Sequence, residues 1–138
     1  MSKVWATLLV VGGLLSIIGS FLVWSTCPDT SCGGGGPALF VLVDRSGIHW
    51  GEGVVTALLG AAIMRIGLGR LRSADYPTRR ASWLGLAVLV TVVVHAVRLH
   101  VLPGQIFYGP SYGAMLAAGG GLLAVAAGLE REPGAGRR

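Results

Sequence analysis

The chain has 138 residues, of which 53% are hydrophobic and only 12% are charged. Because a soluble domain usually carries about a quarter charged residues, this composition excludes a chain that covers its whole surface with water-facing groups. The formal net charge of +5 does not indicate a nucleic-acid partner, because the charges stand at the ends of apolar runs, where anionic lipid attracts them.

Four apolar runs dominate the chain, at about residues 4–24, 53–71, 82–102 and 112–129. Each is close to the ~20 residues that a helix needs to cross the hydrocarbon core of a bilayer. Short connections make sequential helices antiparallel neighbours. The sequence therefore predicts an all-α fold, an integral membrane four-helix bundle that forms a single domain over residues 1–138.

Positive charge is distributed unequally around these runs. Nine of the eleven lysines and arginines stand at ends that would share one face, and only Arg45 and Arg98 stand toward the other. Because cytoplasmic loops carry such an excess, we expect a multi-pass protein of the cell membrane with both termini, including the tail 130–138, in the cytoplasm. The nine are Lys3, Arg65, Arg70, Arg72, Arg79, Arg80, Arg131, Arg137 and Arg138.

The tryptophans give a second indication of the same arrangement. The first run is longer than the apolar part of a signal peptide, and Trp24 at its end suits an anchored helix better than a cleaved one. Trp5, Trp50 and Trp83 also stand at predicted span ends. Because an indole ring is apolar but its N–H needs a partner, we expect all four at the membrane–water interface.

The loop at about residues 25–52 is expected to form a small cap on the outer end of the bundle. Four glycines at 33–36 make a flexible hinge. The apolar residues 38–43 are too few to span, residues 44–47 indicate a turn, and residues 48–50 indicate a return strand. The pattern favours a short β-hairpin, with an interfacial or re-entrant segment as the alternative.

Cys27 and Cys32 are the only two cysteines of the chain, and both lie in this loop. An even number of cysteines outside the cytoplasm favours a structural disulfide. A loop this small would add about 2 kcal/mol in the chain-entropy model. Membrane thiol oxidases with a four-helix core relay electrons through two cysteine pairs, whereas this chain has one, so we expect a structural bridge rather than redox catalysis.

Three histidines, His49, His95 and His100, fall toward the outer side. Neutral imidazoles beside a cysteine pair are able to bind copper or zinc. However, His95 and His100 are five residues apart, about 140° around a helix, and do not converge. We therefore expect neither a metal nor any other cofactor, and assign these histidines to the interface or to hydrogen bonds.

Two arginines lie inside predicted spans, where a charge is costly and usually paired or functional. Arg98 shares a helix face with His95, and we expect it to pair with Glu52 or, failing that, with Asp44. Arg65 is expected to face a neighbouring helix and to pair with Glu130, which would cap the fourth helix. Snorkelling of each arginine to the nearer headgroups is the alternative.

Small residues spaced by about four along the spans indicate where the helices approach one another, because close contact drives helix association in lipid. One such stripe places Arg65 between Ala61 and Gly69 on the second span. The stripes are Gly12, Ser16 and Ser20 on the first span, Gly53, Ala57, Ala61 and Gly69 on the second, and Gly113, Ala117 and Gly121 on the fourth.

The stretch GSFLVW at residues 19–24, followed by a polar loop and GEG at residues 51–53, resembles small four-span bacterial membrane proteins of unassigned function. The resemblance covers about the first half of the chain and implies no activity. The plan of four helices, with a first outer loop that holds a tryptophan, two cysteines and short strands, is also similar to that of claudins, as an architectural analogy.

No span has an acidic residue near its centre, and no catalytic motif is present, so we expect no enzyme. The first hypothesis is a non-catalytic accessory or scaffold component whose partners are the lipid bilayer and other membrane subunits or further copies of itself. The second is a small oligomeric transporter or channel with Arg98, His95 and Glu52 lining an outer vestibule. The third is an outer-face metal or thiol-redox protein.

Overall fold

The computed structural model describes residues 3–28, 42–46, 51–73, 79–101 and 112–129, without the side chains of 25–28, 42–46 and 99–101. Within these ranges the chain forms four α-helices and two short strands, so the prediction of four helices is confirmed and this part is nearly all helical. In chain order they are α1 (Lys3–Phe21), β1 (Val23–Pro28), β2 (Leu42–Ser46), α2 (Glu52–Arg72), α3 (Arg79–Val101) and α4 (Tyr112–Gly128).

Three of the helices are long and apolar enough to cross a membrane: α1, α2 and the part Arg79–Arg98 of α3. The fourth, α4, is apolar but has 17 residues, which corresponds to about 25 Å of helix. Helix α2 begins after Gly51, whose φ of 82° lies in the left-handed region. A side chain there would be strained, so glycine suits this start.

The four helices pack in a ring, in which α1 contacts α2 and α4, and α3 contacts α4 and, less extensively, α2. Glycine lies at the contacts. A Cβ atom added to Gly13 would lie 2.5 Å from the Gly60 carbonyl oxygen, and one added to Gly19 would lie 2.6 Å from that of Gly113. These separations are too short for any carbon atom, so the backbones of neighbouring helices touch directly.

The buried face of α2 repeats every seven residues, with Gly53, Gly60 and Gly67 in line and Thr56 and Ile63 between them. The steps between these residues are alternately three and four residues long, as in a left-handed helical bundle. This spacing keeps one face of a helix against its neighbour over several turns.

The predicted small-residue stripes on α1 and α4 are buried, but that on α2 is wrong beyond its first residue. Gly53 is buried, whereas Ala61 and Arg65 are exposed and Gly69 is half-buried. Steps of four residues advance 400°, so each step moves the stripe about 40° around the helix and carries it away from the contact.

The side chain of Trp24 is fully buried within the protein, so its indole ring is covered by other residues and does not face lipid headgroups. It packs with Ala114 and Ala117 of α4, and its indole N–H donates a hydrogen bond of 2.7 Å to the Gly19 carbonyl oxygen. This bond satisfies the one polar group of the side chain, which makes its burial possible.

The strands β1 and β2 pair in antiparallel fashion, with Val23 opposite Ser46 and Pro28 opposite Leu42. The predicted turn at residues 44–47 is therefore wrong, because residues 44–46 continue a strand. β1 takes the β-branched and aromatic residues after α1, which favour a strand. The predicted hairpin, with residues 38–43 as one strand and 48–50 as its return, stays a prediction, because residues 29–41 and 47–50 lie outside the described ranges.

Candidate functional site at the Glu52 end

Glycine contacts show that the helices run antiparallel to their neighbours. In each of three helix pairs, two contacts run in opposite chain directions: Gly13 meets Gly60 and Val10 meets Gly67, Gly12 meets Gly120 and Gly19 meets Gly113, and Ser82 meets Gly128 and Gly85 meets Gly121. One end of the bundle therefore collects the last turns of α1 and α3 and the first turns of α2 and α4. We call it the Glu52 end, after the first residue of α2, and we call the opposite end the basic end.

Glu52 and Arg98 form an ion pair at the Glu52 end, as expected from the sequence. An Arg98 Nη1–H donates a hydrogen bond of 2.9 Å to Glu52 Oε1. The Glu52 side chain is 15% exposed and that of Arg98 is 54% exposed. Because Glu52 also lies in the first turn of α2, the helix dipole favours its negative charge.

His95 lies one helical turn before Arg98 and is almost completely buried, at 2% exposure. Its Nδ1 lies 3.8 Å from Glu52 Oε2, too far for a hydrogen bond but close enough for a strong charge interaction if the ring is protonated. The imidazole meets the Trp24 ring edge-on, with centroids 5.0 Å apart. One face of α3 thus presents two basic side chains to one carboxylate.

A line of buried hydroxyl groups continues from Glu52 into the α1–α2 interface. Thr56, one turn after Glu52, lies 2.6 Å from the Ser20 hydroxyl. Ser20 in turn donates to the Ser16 carbonyl oxygen at 2.7 Å, and Ser16 donates to the Gly12 carbonyl oxygen at 3.0 Å. These bonds satisfy the buried hydroxyl groups, and the contact between Ser20 and Thr56 is the one among them that joins α1 to α2.

Unlike these hydroxyl groups, the Glu52 Oε2 atom has no hydrogen-bond partner among the residues that the structure describes, although it is buried. Oε1 carries the bond from Arg98, so the carboxylate uses one of its two oxygens for the ion pair and turns the other toward His95. A carboxylate held in this way is able to exchange a bound cation or a proton, or to fix the relative positions of α2 and α3.

Sequence reasoning found Glu52, His95 and Arg98 but missed Trp24, Ser20 and Thr56 as neighbours of this site. Thr56 follows Glu52 by four residues, and this spacing was a usable signal for a shared helix face. No comparable signal existed for Trp24, because its burial depends on packing against Ala114 and Ala117 of α4, about 90 residues further along the chain.

Arg65 lies far from this cluster and is exposed on α2, so the expectation that it faces a neighbouring helix is wrong. The reason is the drift of the four-residue stripe described above. Its predicted partner, Glu130, lies outside the described residues, and the pairing stays a prediction.

The described residues contain no group of three or more histidine, cysteine or acidic side chains close enough to hold a metal ion. Cys32 and His49 lie outside the described ranges, and for Cys27 and His100 only the backbone is described. The predicted disulfide therefore has no support from the described part of the chain. His95 and Glu52 alone supply too few ligands for a structural zinc site.

No protein-family model, curated protein or solved structure matches this chain. The resemblance of the GSFLVW and GEG stretches to small four-span bacterial membrane proteins accordingly stays a prediction, and the function is argued from the geometry alone.

Proposed function

We propose that this chain is an integral membrane protein with both termini in the cytoplasm, and that it serves as a non-catalytic accessory or scaffold component. It acts by contact through its outward surfaces. The observation that carries this proposal is the direct backbone contact between the helices, which leaves little space for a substrate path between them.

The contact between α1 and α2 recurs in the two helix pairs that include α4. A Cβ atom on Gly120 of α4 would overlap the Gly12 carbonyl oxygen and the Ser16 hydroxyl of α1. One on Gly85 of α3 would lie 2.6 Å from the Gly121 carbonyl oxygen. A carrier that alternates between two open states needs helices that separate, and such close contacts favour a rigid unit.

Exposed apolar side chains support insertion into a membrane. On α3, Val90, Val93 and Val97 are each more than half exposed, with Val93 at 59%. On other helices, Leu58 and Met115 are exposed to a similar degree. A water-soluble protein rarely shows apolar patches on every side, whereas hydrocarbon or a partner helix covers them without cost.

The described charges support the proposed orientation. Among the described side chains, the Glu52 end has one arginine, Arg98, and no lysine. The opposite end has six lysine and arginine side chains. An excess of lysine and arginine marks the cytoplasmic side of a membrane protein. The six are Lys3, Arg65, Arg70, Arg72, Arg79 and Arg80.

The scaffold proposal is tested by photo-crosslinking in native membranes. A photoreactive residue is placed singly at Val93, Leu58 and Met115, which point outward from three different helices, and at Val88 as a buried control. We expect a crosslinked product of one defined mass from at least one outward position and none from Val88. Only diffuse lipid adducts from all three outward positions would contradict a scaffold role.

A small transporter or channel is the second candidate, and the buried Glu52 Oε2 beside His95 is the observation that favours it. Purified protein in liposomes with an internal pH dye and an imposed potassium diffusion potential would report proton movement. Flux that depends on Glu52, lost in Glu52→Gln while the variant remains folded, would favour this candidate over the scaffold. Flux no greater than that of empty liposomes would exclude proton transport.

A further inference from the structure

The outward face of α2 is apolar toward one end of the helix and basic toward the other. The residues spaced alternately by four and three along this face are all exposed, so they form one continuous strip. Its half toward the Glu52 end is apolar, and its half toward the basic end carries two arginines. The strip consists of Val54, Leu58, Ala61, Arg65, Leu68 and Arg72.

A shallow cavity of about 320 Å³ lies along the basic half of this strip. Ala61 and Gly69 leave the depression because they have little or no side chain. Arg65 and Arg72, seven residues apart, stand about 10 Å from each other along the helix axis. The described lining consists of Ala61, Met64, Arg65, Leu68, Gly69 and Arg72.

If α2 spans a membrane, Arg65 lies inside the span rather than at its end. Helix α2 ends at Arg72, so Arg65 lies about 10 Å inside that end. A guanidinium group keeps its charge at any ordinary pH, and a charge facing hydrocarbon is costly unless an anion or water accompanies it. Among the described residues the acidic ones, Asp44 and Glu52, belong to β2 and to the opposite end of α2.

We propose that this groove binds a phospholipid with an anionic headgroup. Its phosphate lies between the guanidinium groups of Arg65 and Arg72, which form strong charge-assisted hydrogen bonds with phosphate oxygens. One acyl chain follows Ala61 and Leu58 toward the middle of the bilayer. Basic pockets on the cytoplasmic side of membrane proteins attract such headgroups. The inference rests on the membrane insertion and orientation proposed above.

Binding is measured on delipidated protein in a neutral detergent by native mass spectrometry. Phosphatidylglycerol is the anionic probe, phosphatidylcholine the zwitterionic one, and inorganic phosphate the free anion. We expect one molecule of phosphatidylglycerol to bind about thirtyfold more tightly than phosphatidylcholine, because two arginines each favour a net negative headgroup. In phosphatidylcholine the choline cation offsets the charge of the phosphate. Millimolar phosphate should not displace it, because the acyl chain contributes to binding.

The Arg65→Gln/Arg72→Gln double variant should lose the preference for phosphatidylglycerol. Arg79→Gln/Arg80→Gln is the matched control, since these residues are exposed at the same end but on α3, and it should keep the preference. An equal loss in both variants would show a general effect of surface charge and overturn the site. Unchanged binding in the first variant, or displacement by free phosphate, would also overturn it.

Membrane insertion is checked separately, by whether wild type and both double variants stay in the membrane pellet after alkaline carbonate extraction. Retention of all three with no lipid preference would overturn the lipid site alone. Release of the wild type would overturn the membrane proposal, and the lipid site with it.

Discussion

Small residues lie on two sides of α2, and they have different surroundings on each. On the buried face, Gly53, Gly60 and Gly67 recur every seven residues, and Gly60 brings α2 into backbone contact with α1. On the exposed side, Ala61 and Gly69 line a cavity beside Arg65. A small residue therefore indicates helix packing only when its spacing keeps it on the contact face.

The charged residues at the two ends of α2 also have different surroundings. At one end Glu52 is mostly buried and bonded to Arg98, whereas toward the other end Arg65 and Arg72 are exposed beside a cavity. The first arrangement fixes one helix to another. The second arrangement is the one that we propose for binding a lipid headgroup, so the contrast is between a charge that stabilises the fold and charges that are proposed to bind a ligand.

The largest effect on stability is expected from Gly60→Ala on the buried face. The added Cβ would lie 2.7 Å from the Gly13 carbonyl oxygen, so α1 and α2 must move apart at a cost of about 3 kcal/mol. Reversible unfolding in mixed detergent micelles measures the loss.

Gly119→Ala is the matched control for this change, because no heavy atom lies within 4 Å of its added Cβ. It should be neutral or stabilising by up to about 1 kcal/mol, as alanine favours a helix over glycine. Equal destabilisation by the two substitutions would show that helix contact does not explain the role of Gly60.

Glu52→Gln should cost less, about 1–2 kcal/mol, because it keeps an acceptor oxygen for Arg98 but removes the negative charge of the pair, and leaves His95 beside a neutral group. Arg98→Gln should cost about 0.5 kcal/mol, since water compensates a side chain that is half exposed. A double-mutant cycle on unfolding free energies gives the coupling between them. Strict additivity would mean that the 2.9 Å contact contributes nothing to stability.

Thr56→Val should cost about 0.6 kcal/mol, the usual contribution of a hydrogen bond between membrane helices, because it removes the contact with Ser20. Thr91→Val is the comparison, since the Thr91 hydroxyl bonds to Ala87 of its own helix. Coupling should appear between Thr56→Val and Ser20→Ala and should be absent between Thr91→Val and Ser20→Ala.

The smallest effect on stability is expected on the exposed face. Arg65→Gln and Arg72→Gln should each change the unfolding free energy by less than about 0.5 kcal/mol in neutral detergent, as for most surface substitutions. A loss as large as that of Gly60→Ala would place these arginines in the packed structure and remove the distinction between the faces.

The length of the apolar runs predicted the four helices well, because about 20 apolar residues suffice to define a span. The predicted start of the second span, residue 53, lies one residue from the start of α2 at Glu52. The pairing of Glu52 with Arg98 was also predictable, since antiparallel neighbours bring the start of α2 and the end of α3 to the same depth.

The remaining features depend on information that a residue pattern does not contain. Between Ala57 and Gly69, three steps of four residues turn about 120° around the helix, so one stripe crosses from one side to another. Burial of Trp24 depends on contacts with Ala114 and Ala117 of α4, which are distant in sequence. Strand β1 likewise pairs with β2, which begins 14 residues after the end of β1.

The proposed function requires that water does not enter the interface between α1 and α2. A single cysteine in place of Ser20, which is buried at this interface, tests this most directly. Ser20→Cys is made in a Cys27→Ser/Cys32→Ser background and exposed to a membrane-impermeant thiol reagent in intact and in permeabilised cells. Ser73→Cys, exposed at the basic end, is the control and should react only after permeabilisation.

A scaffold with a closed bundle predicts that Ser20→Cys, buried beside Thr56, stays unlabelled under both conditions and reacts only after denaturation. Labelling of Ser20→Cys in intact cells would show that water reaches the α1–α2 interface from outside, and would contradict the closed interior on which the proposed function rests.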